Sequence, residues 1–241
     1  GVMGPSGAGK STLLNVLVGT PVEGATEYGS VTLNGQPLTH ELNRVHVAYV
    51  EQHDTLWTFL TTREHMSLAT TLYQGTKSVA EQQATWLGLM AETGLLSCAD
   101  TRAGDDDHQG LSGGQRRRLS LAMAFAKSPS VVIADEPTTG LDSAAAVAIV
   151  KLMGTLVRST GTANVTTIHQ PSAAVYSGID DLLLLSRGRT AYYGPANALE
   201  QYLESVKKPL PQAIGVAEHA LDLFNADCVP EESVEQLLAA W

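Results

Sequence analysis

"GVMGPSGAGKST", residues 1–12, is the stretch on which the fold turns. Residues 4–11 fit the pattern G-x-x-x-x-G-K-[ST] of a phosphate-binding loop. Gly4, Gly7 and Gly9 let backbone N–H groups turn inward around an anion, with Ser6 and Thr12 in the same grip. Leucines and valines at helical spacing over residues 11–18 supply a helix whose positive end faces that anion. Lys10 is then placed to reach the β- and γ-phosphates of a nucleotide, and Ser11 to ligate Mg²⁺. Such a loop normally hangs from a buried strand, yet only Gly1, Val2 and Met3 precede it.

The loop needs a second half, an acidic residue at the end of a buried strand that holds the metal. Residues 131–136, VVIADE, supply it. Asp135 is the candidate Mg²⁺ ligand, and Glu136, one residue on, is placed to orient or deprotonate an attacking water. Upstream of that strand stands LSGGQ, residues 111–115. Ser112, Gly113, Gly114 and Gln115 lead into a helix and offer backbone N–H groups and a hydroxyl to an anion. One nucleotide does not need two complete grips from one chain. The simplest arrangement is two chains head to tail, each lending this loop to the other's nucleotide.

Composition sets the outer bounds. Apolar residues make up 44% and charged residues 17% of 241, enough for a core and against bulk disorder. Fifteen basic against 25 acidic side chains give a net charge of −10, which disfavours a general nucleic-acid footprint. The run Arg116, Arg117, Arg118 leaves room for a local basic patch. Cys98 and Cys228 are far apart and read as two free thiols. No charged start followed by an apolar run marks a signal peptide. No apolar run approaches the ~18–20 residues of a transmembrane helix.

Along the chain, residues 28–33 read as a strand, and Asn34-Gly35 after them signals a hairpin. Residues 45–50 read as another strand, 61–98 as helices, 104–110 as an acidic loop and 116–127 as a helix. Residues 130–134, 165–168 and 182–185 are short apolar strands of the kind buried in a parallel sheet. Residues 143–157 form a helix, 187–189 a turn into a strand at 190–193, and 195–206 a helix with proline in its first turn. The tail from 207 is less regular until a helix begins at 233. The order is α/β, with strand–helix alternation wrapped around a helical insertion.

Residues 4–11, 111–115 and 135–136, in this order, resemble the nucleotide-binding domain of ATP-binding cassette (ABC) proteins. The resemblance covers nearly the whole chain. It implies a P-loop NTPase of cassette type, a RecA-like core sheet with an antiparallel part, and a helical subdomain at about 61–118. Residues 1–241 are then one nucleotide-binding domain, with a linker toward a membrane domain at about 207–241. By the same resemblance Gln52 senses Mg²⁺ and contacts the membrane domain. Asp142, in residues 140–143, belongs to the loop bridging two nucleotide sites, and His169 contacts the γ-phosphate. Lys10, Glu136 and His169 carry the catalysis; Ser11, Gln52 and Asp135 hold Mg²⁺.

Finer matches are similar to the G subfamily, the eye-pigment and pleiotropic-drug-resistance branch. They are TIHQPS at 167–172, PTTGLDS at 137–143 and LLLLSRGRTAYYGP at 182–195. Gln115 departs from that branch, which usually carries Glu there. In the branch the cassette precedes the membrane domain, so the expectation is a chain lacking the first cassette strands at one end and the membrane domain at the other. The aromatic residue that stacks on adenine lies upstream of the phosphate loop in the family. The implied function is ATP hydrolysis powering transport of a hydrophobic or lipid-like substrate. The implied partners are a membrane-spanning domain and a second cassette, identical or different, on the cytoplasmic face of a membrane, with no nucleic acid. The alternatives are a soluble ABC-type ATPase acting in translation or DNA repair, and a regulatory cassette that binds ATP without turnover.

Overall fold

Val2 and Met3 are themselves a strand. In the computed structural model they form β1 (Val2–Met3), both residues buried, paired in parallel with β7 (Asp181–Ser186) through Val2↔Leu183 and Met3↔Leu184. Val2 also bridges Thr167 in parallel. The phosphate loop therefore does hang between a buried strand and a helix, α1 (Lys10–Leu17), even though the strand is two residues long. The structure describes residues 1–241 except 21–23, 25, 27, 105–109, 213 and 226–228. The acidic loop expected at 104–110 and Cys228 lie mostly or wholly outside the described residues; Cys98 is a buried free thiol.

The chain divides into two units, Gly1–Gly24 with Val165–Trp241, and Ala25–Asn164. In the first, β7 pairs antiparallel with β8 (Arg189–Pro195) across a tight turn at Arg187 and Gly188, both at positive φ. After a 3₁₀ turn come α8 (Leu199–Ser205), α9 (Val216–Leu223) and α10 (Glu231–Ala240); the four-residue α7 (Ala173–Tyr176) precedes β7. The tail beyond 207 is folded onto this unit. Phe224 is fully buried and its carbonyl accepts from the Ser186 hydroxyl at 2.7 Å, while Glu235 pairs with Arg189 at 2.8 Å. Tyr192, Tyr202 and Trp241 form an aromatic cluster with centroids 5.1–5.5 Å apart.

In the second unit, β2 (Thr32–Leu33) and β3 (Gln36–Pro37) form the hairpin that Asn34-Gly35 signals, with both turn residues at positive φ. Residues 28–31 are not strand, and Tyr28 is exposed. A helix missed by the sequence reading, α2 (His40–His46), takes Val45 out of the predicted strand, leaving β4 (Val47–Val50). Its start is fixed locally, since the Thr39 side chain accepts from the Leu42 N–H.

β4 pairs in parallel with β5 (Val131–Ala134), and the sheet order is β4-β5-β6, with β6 (Ala163–Thr166) carrying the chain between the units. Helices α3 (Thr62–Tyr73), α4 (Val79–Glu92), α5 (Gly113–Ala126) and α6 (Ser143–Thr160) share one apolar core with β4 and β5. α6 is long and apolar enough by length and composition to cross a membrane, yet Ile149, Met153 and Leu156 seat it in that core.

Candidate nucleotide site

In the first unit the phosphate loop is a preformed cradle. Gly4 (φ 158°), Gly7 (φ 73°) and Gly9 (φ 96°) curl the backbone, and a Cβ on Gly4 would meet the Leu185 carbonyl oxygen at 2.3 Å. Gly9 precedes α1 in the left-handed conformation and offers no side-chain cap, so the first N–H groups of the helix are left for an external acceptor. Lys10 is buried, and its ammonium donates to the carbonyls of Gly4 at 2.8 Å and Pro5 at 3.0 Å. The cation is thus held over the loop before any anion arrives, which fits a phosphate chain. Ser11 and Thr12 follow on the exposed side of the first turn.

His169 lies in the same unit. It shares a cavity of about 210 Å³ with Gly4, Pro5 and Ser6 of the loop, so the structure brings the predicted γ-phosphate histidine and the loop to one hollow. Gln170, at φ 45°, lines it too. The far wall is Leu221, Asp222 and Asn225, from α9 and its end, which the sequence reading passed over as irregular tail.

In the second unit, Glu136 stands just after β5 with φ 43°, a conformation that costs a non-glycine residue of order 1 kcal/mol or more. Two donors meet its carboxylate. The Gln52 amide nitrogen donates at 3.0 Å and the Thr139 hydroxyl at 2.9 Å, both to Oε2. With its nitrogen so directed, Gln52 keeps its Oε1 as an acceptor suited to a cation. Asp135 is buried at the end of β5, where its N–H donates to the Val50 carbonyl at 2.9 Å. The Tyr49 hydroxyl lies beside the Asp135 carboxylate. Burial pushes the Tyr49 hydroxyl up to about 12, and the Asp135 and Glu51 carboxylates add to the rise.

Neither Tyr49 nor Thr139 was singled out from sequence. Tyr49 was hidden in an apolar strand, and Thr139 stood only as part of a branch motif. Among the described residues no three His, Cys, Asp or Glu side chains form a metal cage. Mg²⁺ in nucleotide sites needs none, since one or two protein oxygens, phosphate and water complete its octahedron.

The LSGGQ loop is built as a helix start. Ser112 caps α5: its hydroxyl accepts from the Gln115 N–H at 3.3 Å, and Gln115 Oε1 accepts from the Ser112 N–H at 2.9 Å. The Ser112 O–H proton remains able to donate to a phosphate. Gln115 thus performs the cap that Glu would, and its departure from the branch pattern has no structural consequence. Gly113 and Gly114 lie beside Leu141 and Ala145, whose methyl carbons are 3.7 and 3.9 Å from where a Cβ would stand. The Asp142 carboxylate caps α6, accepting from the Ala145 N–H at 2.8 Å. The three arginines are not a free basic patch. Arg116 donates to the Leu111 carbonyl, Arg118 to those of Gly114 and Thr93, and Arg117 is buried.

Comparison with known proteins identifies the family. Residues 1–139 match the model of the ABC transporter family, and residues 169–240 match that of the ABC-2 type transporter. The chain is 37% identical over its whole length to ABC transporter G family member 5 of Oryza sativa subsp. japonica, covering 31% of that protein. It is 38% identical to ABC transporter G family member 7 of Arabidopsis thaliana over 97% of this chain and 32% of the relative. An uncharacterized ABC transporter ATP-binding protein/permease of Saccharomyces cerevisiae is 35% identical over 94% of this chain and 19% of its own length. The chain spans about a third or less of these curated relatives. They give no support to a soluble ATPase of translation or DNA repair. The α/β fold with a phosphate loop, the ordered motifs and the matched family model agree: this chain belongs to the ABC transporter family, with relatives in its G branch.

Proposed function

We propose that the chain is the cassette that binds and hydrolyses ATP to drive a hydrophobic or lipid-like substrate across a membrane. The observation that carries this reading is the Glu136 carboxylate, held by Gln52 and Thr139 at the end of a buried strand in a strained backbone. A carboxylate oriented in this way is suited to polarise a water against a terminal phosphate. Lys10, the Gly4, Ser6, Gly7 and Gly9 backbone and Thr12 grip the phosphates. Ser11, Gln52 and Asp135 would hold Mg²⁺, which when bound would supply charge neutralisation to the phosphates. His169 contacts the γ-phosphate. Ser112, Gly113, Gly114 and Gln115 complete the site of a second cassette, identical or different, and Asp142 stands near that junction. Residues 207–241 lead toward a membrane-spanning domain, with the cassette on the cytoplasmic face.

The test is Glu136→Gln, which keeps an acceptor for Gln52 and Thr139 and removes the base. Steady-state phosphate release should fall by about 10²-fold or more while ATP binding stays within a few-fold. Wild-type turnover in that variant removes Glu136 from the role.

A further inference from the structure

Arg117 stands outside every role assigned above, although it is among the most buried charged side chains of the second unit, 4% exposed. It projects from α5, the helix that Ser112 caps. Its guanidinium grips the segment that follows β4 at three points. Nη1 donates to the Glu51 carbonyl at 2.7 Å, Nη2 donates to the Gln52 carbonyl, and Nη1 pairs with the Asp54 carboxylate at 3.2 Å. Ser120, on the same face of α5 (an i, i+3 pair), donates to Asp54 Oδ1 at 2.8 Å and braces the clamp. Arg117 Nε is buried with no hydrogen-bond partner.

As a source of stability this is a poor arrangement. A desolvated cation with an orphaned N–H is commonly bettered by an apolar side chain of the same size. As a device for fixing geometry it is well made. A planar fork on two successive carbonyls fixes the orientation of the Gln52 peptide, which a lysine's single ammonium cannot do equally. That peptide carries the side chain whose amide lies 3.0 Å from the Glu136 carboxylate. The contacts therefore run without a gap from the Ser112 cap through α5 and Arg117 to Gln52 and Glu136, all within one unit.

We infer that Arg117 is a positioning residue for hydrolysis, holding the Gln52 backbone so that the Gln52 amide orients Glu136 and its Oε1 meets the metal. A displacement of α5 by whatever binds at Ser112 is thereby felt at the carboxylate of the same chain. The inference rests on the proposed roles of Gln52 and Glu136.

The experiment is a double-mutant cycle on the whole chain: Arg117→Met and Gln52→Ala, singly and together, with Arg117→Lys as the conservative variant and Glu136→Gln as control. Phosphate release is followed against ATP and against Mg²⁺, and each protein is melted. Arg117→Met should lower kcat about tenfold or more with KM for ATP nearly unchanged, and raise the Mg²⁺ needed for half-maximal rate. Arg117→Lys should recover part of the loss. In the Gln52→Ala background Arg117→Met should cost little more, because the two act as one unit. An unchanged kcat, a loss confined to KM, or losses that multiply across the pair would overturn the inference while leaving Glu136 and Gln52 in place. Where Arg117→Met does not fold, Arg117→Lys alone and with Gln52→Ala decides by the same criteria. Wild-type turnover in both Gln52→Ala and Glu136→Gln overturns the site reading itself, and this inference with it.

Discussion

Lys10 shows how much of the site is arranged by a single side chain. Its ammonium already bridges the Gly4 and Pro5 carbonyls, so an arriving phosphate meets a cation whose rotamer entropy is already lost. Lys10→Ala removes both the charge and the tie across the loop. ATP affinity, measured by titration with a fluorescent nucleotide, should fall tenfold or more, about 1.4 kcal/mol at least. Lys10→Arg should not rescue it, because the larger planar head does not fit between two carbonyls at 2.8 and 3.0 Å without displacing the loop. Lys10, Asp135 and Glu136 were readable from sequence because their chemistry needs fixed neighbours in the chain. Tyr49, Thr139 and Arg117 were not, since each is defined by a partner that folding brings to it. Arg117 looked like one third of a basic patch, and only its burial against Glu51 and Gln52 distinguishes it from Arg116 and Arg118.

Among the elements, helix starts carry a recurring device. α3, α4 and α5 each open with a reciprocal capping box, Thr61 with Glu64, Ser78 with Glu81 and Ser112 with Gln115. The third alone uses a neutral amide. Gln115→Glu keeps the box and adds a negative charge at the positive end of α5. It should stabilise by about 0.3–1 kcal/mol, a rise of roughly 1–4 °C in melting temperature.

The two acidic boxes are titratable. A hydrogen bond from the Thr61 N–H, with one from its hydroxyl, holds Glu64 below the usual carboxylate range; the Ser78 hydroxyl, then its N–H, does so for Glu81. A depressed folded-state pKa gives stability that is present above the ordinary value near 4.5 and is lost as pH falls through the folded value. Melts from pH 7 to pH 3 should therefore decline less steeply in the Glu64→Gln, Glu81→Gln double variant. The strands and the long helices were legible because apolar periodicity exceeded local noise. α2 was not, because a seven-residue helix with no buried side chain has no apolar stripe to read.

At the scale of the whole chain, the least legible part was the tail. Residues 207–232 show little periodicity, yet Phe224 and Leu221 are buried and Ser186 ties the end of α9 to β7. Phe224→Ala should cost about 3–5 kcal/mol, seen as a lower denaturant midpoint with the slope retained. The tail's other contribution, Asp222 and Asn225 beside Ser6 and His169, is a product of topology that no local pattern announces.

That topology also dictates a timetable. The second unit is one unbroken run, Ala25–Asn164, whereas the first joins Gly1–Gly24 to Val165–Trp241. On the ribosome, the second unit is complete and able to condense while β1 still waits for β7, made about 180 residues later. The phosphate cradle, translated well ahead of the strand it needs, is therefore among the last to be organised, and a nascent chain stalled before residue 181 should hold no nucleotide.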